Sequence, residues 1–88
     1  MNREEYGLAT FKSTHFALQG EQVFKDNNLI FKTIPTPREV SHSCGLALLF
    51  FIDDIEKVKE IIDCNLLDID GLYKFIKEDQ KNMAERLL

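Results

Sequence analysis

Apolar and polar positions follow two different periods along this chain, and the switches between them mark its elements. Tyr6 to Phe11 (Tyr-Gly-Leu-Ala-Thr-Phe) is a short apolar run with no helical stripe and predicts a first strand. Ser13 or Thr14 then caps a helix in which Phe16, Gly20, Val23, Phe24 and Asn27 share one arc of ~100°, with Gln19, Gln22, Lys25 and Asp26 lying elsewhere. Asn27-Asn28 stops it. Leu29 to Ile34 predicts a second strand, ended by Pro35 because proline has no amide hydrogen for a ladder. Leu46 to Ile52 is apolar at every position, the mark of a strand covered on both faces, and belongs at the centre of a sheet. Asp53 caps a second helix with Glu56 three positions on; Ile55, Val58 and Ile62 form its buried stripe, Ile61 its flank, and Asn65 its stop. Asp68 to Ile76 offers a last strand. In Lys77 to Leu88 the spacing of Met83, Leu87 and Leu88 predicts a C-terminal helix.

The stretch between the second and third strands is the least ordinary. Thr36 can serve as an N-cap, Pro37 suits the first helical position and Glu39 completes a capping box, which predicts a short helix from Pro37 to about Ser43. Gly45 then fits the left-handed residue that ends such a helix, with Cys44 at the pivot. The resulting order, β-α-β-(short helix)-β-α-β, is the split βαβ pattern: an α+β, ferredoxin-like fold with two helices on one face of a four-stranded antiparallel sheet. Residues 1–76 form this domain and 77–88 a helical extension. In this reading the third strand runs parallel to the first, which places His15 and Cys44 at opposite ends of the sheet. The sheet's second face is open, yet the third strand is apolar on both sides. Either the C-terminal segment or a second copy must cover it, and a homo-dimer or larger oligomer is expected.

Composition narrows the function classes. With 88 residues the chain holds one compact core. Its 15 acidic and 11 basic residues give a formal charge of −4, which repels phosphate backbones, so nucleic acid is not an expected partner. No window approaches the ~20 apolar residues of a membrane span, and Met1 to Glu5 lacks a signal peptide's apolar centre. The expected location is the cytoplasm, where Cys44 and Cys64 stay reduced. Their spacing is not a zinc signature, and neither a phosphate loop nor a dinucleotide fingerprint occurs, so no metal and no cofactor is expected.

Cys44 is the best candidate for chemistry. Arg38 and His42, four residues apart on the predicted short helix, bring a cation and an imidazole near it, together with the hydroxyls of Ser41 and Ser43. Arg38 is also suited to holding an anionic donor. The Ser13-Thr14-His15 helix start could bind a small anion through its free amides. Cys64, near the end of the second helix and away from its buried stripe, reads as an incidental thiol.

The run Pro35-Thr36-Pro37-Arg38-Glu39-Val40-Ser41-His42-Ser43-Cys44-Gly45-Leu46-Ala47-Leu48 resembles the signature of a family of small bacterial proteins described as selenium/sulfur carrier-like. Thr10 to Ala17 is a second match and Asp70-Gly71-Leu72-Tyr73-Lys74 a third; the likeness spans roughly residues 6 to 76. It implies that Cys44 carries sulfur or selenium as a persulfide or perselenide, with Arg38, His42, Ser43 and Gly45 shaping the site and donor and acceptor proteins as partners. It implies a transfer protein more than a turnover enzyme. The alternative is a non-catalytic ferredoxin-like module, regulatory or small-ligand binding, that oligomerises through its sheet.

Overall fold

The computed structural model describes residues 4–37, 40, 45–64, 69–78 and 81–87. In chain order the elements are β1 (Glu4–Thr10), α1 (Thr14–Asp26), β2 (Phe31–Pro35), β3 (Leu46–Phe51), α2 (Ile55–Asp63), β4 (Gly71–Lys77) and β5 (Asn82–Arg86), with a 3-10 turn, Ile52–Asp54, leading into α2. The strands form one antiparallel sheet in the order β2-β3-β1-β4-β5, so the fold is α+β.

Register assigns the faces. Tyr6 stands opposite Phe51 and Phe75, so Tyr6, Leu8 and Thr10 share a face with Ala47, Leu49 and Phe51 and with Tyr73 and Phe75. The other face presents Ala9, Leu48, Phe50 and Leu72, and both helices pack on it. Ala17 and Phe24 of α1 and Val58 and Ile61 of α2 join those residues in the main core. The helix stripes are therefore turned slightly from the pattern expected: Ala17 is buried while Phe16 and Val23 lie at the margin, and Ile61 is buried while Ile55 and Ile62 flank it.

Two glycines set how closely the layers approach. Gly7 sits opposite Phe50 in the ladder, and a β-carbon there would collide with the Phe50 ring. That ring stacks edge-on against Phe24 at 5.5 Å, and Phe24 meets Phe31 in the same way at 5.6 Å. At Gly20 a β-carbon would come within 2.6 Å of the Phe11 ring, so α1 rests on the sheet at a point where no larger residue fits.

On the second face Leu8, Ala47 and Phe75 are buried, with Tyr6, Ile34, Val40, Leu49, Tyr73 and Ala84 packed around them. Part of this cover is Val40, from the β2–β3 connection, and part is Ala84 of β5. Phe51, on the same face, remains 52% exposed.

Several expectations are corrected. The sheet has five strands among the described residues, not four, because the C-terminal segment expected to be helical pairs with β4 as β5, Phe75 opposite Ala84. Reciprocal bonds between Glu78 and Lys81, 2.8 and 3.3 Å, close that hairpin. The third strand runs antiparallel to the first, Thr10 opposite Ala47, because one hairpin and one helical crossover separate them. The second helix begins after the 3-10 turn at Asp54, whose side chain makes no capping bond, and not at an Asp53 cap. The helix starting at Ser13 and stopping at Asn27-Asn28 is as expected: Ser13 Oγ accepts from the Phe16 amide, and Asn28 takes a left-handed φ of 59°.

Candidate functional site

The antiparallel pairing of β1 and β3 brings the chain's three motif segments to one end of the sheet. Thr10 closes β1 there, with Ala47 on one side and Gly71 on the other. Thr10 is buried; its hydroxyl donates to the Gly71 carbonyl at 3.3 Å and its own carbonyl accepts from the Asp70 amide at 2.7 Å. Three residues later Ser13 starts α1, so the positive end of the helix dipole faces this end of the molecule, with no acidic side chain in the first turn. Thr14 and His15 are exposed on that turn. The imidazole Nε2 of His15 lies 3.2 Å from Gln19 Nε2, and its ring meets Phe16 edge-on at 5.7 Å.

The connection between β2 and β3 begins and ends at the same place. Pro35 stands opposite Leu46, and one step further out both the amide and the hydroxyl of Thr36 donate to the Gly45 carbonyl, each at 3.0 Å. The Gly45 carbonyl thus continues the ladder, while the left-handed bend expected at Gly45 turns on Cys44 and lies outside the described residues. Between these feet the Val40 amide donates to the Pro37 carbonyl at 3.1 Å, and the Val40 side chain packs on the sheet's second face. Arg38, Ser41, His42, Ser43 and Cys44, and with them most of the predicted short helix, lie outside the described residues.

The site residues placed by the structure are therefore Gly45 together with Ser13, Thr14 and His15, and they fall at the same end. The expectation that His15 and the Cys44 segment occupy opposite ends is overturned, since it rested on a parallel third strand. Cys64, the C-cap of α2, is exposed and free, and α2 runs back toward this end because β4 starts there at Gly71. Among the described residues no cluster of three His, Cys, Asp or Glu side chains is arranged to hold a metal.

Comparison with known proteins now bears on this arrangement. The family described as "Putative Se/S carrier protein-like" matches residues 6–74, a span that takes in all three motif segments at this end of the sheet. The chain belongs to that family. No curated protein and no solved structure matches it. Within this member of the Se/S carrier protein-like family, the match begins inside β1 and ends inside β4, so β5 falls beyond it. No helix among the described residues is long and apolar enough to cross a membrane.

Sequence reasoning missed the opposite end of the second face. There Tyr6, Leu49 and Phe51 line a groove with Ile30, Phe31 and Phe50, and Lys32 and Lys77 stand at its rim. The double-sided apolarity of β3 was the signal, but it showed only that something covers this face, not where the groove lies.

Proposed function

We propose that this chain is a sulfur or selenium carrier that holds the atom on Cys44 and passes it to an acceptor protein. The family match over residues 6–74, which includes the segment bearing Cys44, carries the reading. The thiolate of Cys44 attacks the outer sulfur of a donor persulfide; the donor's inner sulfur leaves as thiolate, and Cys44 keeps the transferred atom as its own persulfide. An acceptor nucleophile then takes that atom and the Cys44 thiolate departs. No net oxidation occurs in either step, so no resident redox cofactor is required. Selenium follows the same course from a donor perselenide.

The geometry supports this role in two ways. Thr36 and Gly45, the two feet of the connection that bears Cys44, are bonded to each other at the sheet's end. The N-terminus of α1 faces the same end with no acidic residue in its first turn, an environment that favours an anion such as a thiolate or a persulfide. Arg38 and His42 supply a cation and an imidazole to lower the thiol's pKa and steady an incoming anionic donor, and Ser43 and Gly45 shape its approach. Ser13, Thr14 and His15, whose helix starts at the same end, are the residues this reading gives to a small anion. The first four strands and two helices act as a ferredoxin-like unit with β5 added at its edge. The cytoplasm, where free thiols persist, is the fitting compartment.

Exposure of Phe51 favours a second reading, a non-catalytic module that binds through its sheet, as a homo-oligomer or with a ligand. Native-state thiol modification separates the two. Rapid alkylation of Cys44 in the folded protein is expected for the carrier, whereas resistance until unfolding overturns it and leaves the module.

A further inference from the structure

The groove at the far end of the second face has no part in the chemistry proposed for Cys44, and its composition points to a ligand. Its floor is Tyr6 of β1 with Leu49 and Phe51 of β3, and Ile30, Phe31 and Phe50 close one side. Ile30 is 69% exposed and Phe51 52%, so two large apolar side chains meet solvent beside the groove. The groove is open to solvent and its volume is about 250 Å³, slightly below the usual range for small-molecule sites and so suited to a small ligand.

Charge selects the ligand class. Lys32 on β2 and Lys77 on β4 flank the floor, separated by three strand spacings, or about 14 Å between backbones. Among the described residues neither ammonium has a carboxylate within ion-pair distance. Glu4 stands opposite Lys77 in the ladder, outside the lining, and its carboxylate accepts the Tyr6 hydroxyl at 2.6 Å. Among the described residues the lining of the groove itself holds two ammoniums and no carboxylate, on a chain whose formal charge is −4. A second copy applied face to face would bring these lysines against one another, a like-charge arrangement that opposes association.

We propose that this groove binds a small organic anion with a flat apolar body, an aromatic carboxylate or sulfonate, whose body lies on Tyr6, Leu49 and Phe51 and whose acid group meets Lys32 or Lys77. Aromatic rings on the floor give the body a stacking surface, and the flanking ammoniums orient the acid.

The test uses the full chain and 8-anilinonaphthalene-1-sulfonate, with N-phenyl-1-naphthylamine as the same body lacking the acid. Saturable binding of one sulfonate per chain is expected. Lys32→Gln and Lys77→Gln should each weaken it about threefold and together about tenfold, the size of partly exposed charge contacts. Phe51→Ala should weaken both probes, Lys25→Gln on α1 neither, and Cys44→Ala should leave binding intact. Lys25, Lys32, Phe51 and Lys77 are all exposed, and circular dichroism of each variant is to show the fold of the natural chain. Equal affinity for the charged and neutral probes, or a double lysine variant that binds as the natural chain does, overturns the proposal. So does sedimentation showing a dimer that must dissociate before the probe enters, because the occupant is then a second copy.

Discussion

Thr36 grips one carbonyl twice: its amide and its hydroxyl both donate to the Gly45 oxygen at 3.0 Å. Backbone pairing alone would continue the β2–β3 ladder one step; the hydroxyl adds a side-chain tie at the point where the Cys44 connection departs and returns. Thr36→Val keeps the shape and the amide but removes the hydroxyl, and should cost about 1 kcal/mol of unfolding free energy, the usual net worth of one such bond. Thr36→Ser should recover most of it. Urea unfolding of the three proteins checks this.

The Phe50 ring occupies the space where a β-carbon on Gly7 would stand. Any β-carbon at position 7 displaces a ring that is already stacked on Phe24, so Gly7→Ala should destabilise by about 1–3 kcal/mol, as overpacking of a filled core does. Adding Phe50→Leu should make the effect of Gly7→Ala smaller than it is in the natural background, and a double-mutant cycle measures the coupling.

Tyr6 donates to Glu4 at 2.6 Å, and its phenol pKa is raised above the ordinary value of 10.0, chiefly by that hydrogen bond, with burial and the carboxylate's charge adding to it. The folded chain therefore keeps the phenol proton at a pH where the unfolded chain has begun to lose it. The resulting stabilisation is complete below the unfolded pKa and disappears as pH rises through the folded value. In a Tyr73→Phe background, ultraviolet titration of the remaining tyrosinate should show its midpoint fall when Glu4 becomes Gln. An unmoved midpoint would mean the hydrogen bond is not the cause.

The C-terminal segment is where local sequence and tertiary structure part company. Met83, Ala84, Glu85 and Arg86 are good helix formers, and the spacing of Met83, Leu87 and Leu88 suits a helix. Nothing local announces a strand. What decides is non-local: β4 would otherwise expose a row of unpaired backbone groups, and β5 satisfies them while Ala84 covers Phe75 and the Leu87 amide reaches the Leu72 carbonyl at 2.7 Å. The direction of the third strand was recoverable in principle, because a helical crossover followed by a hairpin reverses the chain relative to β1. The helix limits at Ser13 and Asn27-Asn28 were legible because capping is local chemistry. The groove was not, since Tyr6, Lys32, Phe51 and Lys77 come from four strands and meet only through the sheet order.

The strand assignment makes its own prediction. The bonds at Glu78–Lys81 and Leu87–Leu72 fix the alternation of the ladder, so the amides of Met83 and Glu85 face β4 and that of Ala84 faces away. Met83→Pro should cost at least about 1 kcal/mol through the lost ladder bond, and Ala84→Pro much less. A helix would be disrupted by both. Thermal unfolding of the two variants distinguishes the cases.

Intact mass after exposure to a persulfide donor bears most directly on what the chain does. The carrier account predicts that the folded protein gains the mass of a single sulfur atom, that Cys64→Ser gains it equally, that Cys44→Ala gains none, and that a thiol nucleophile strips it off again. Failure to take up sulfur from any of several donors, or uptake that survives Cys44→Ala, would contradict it.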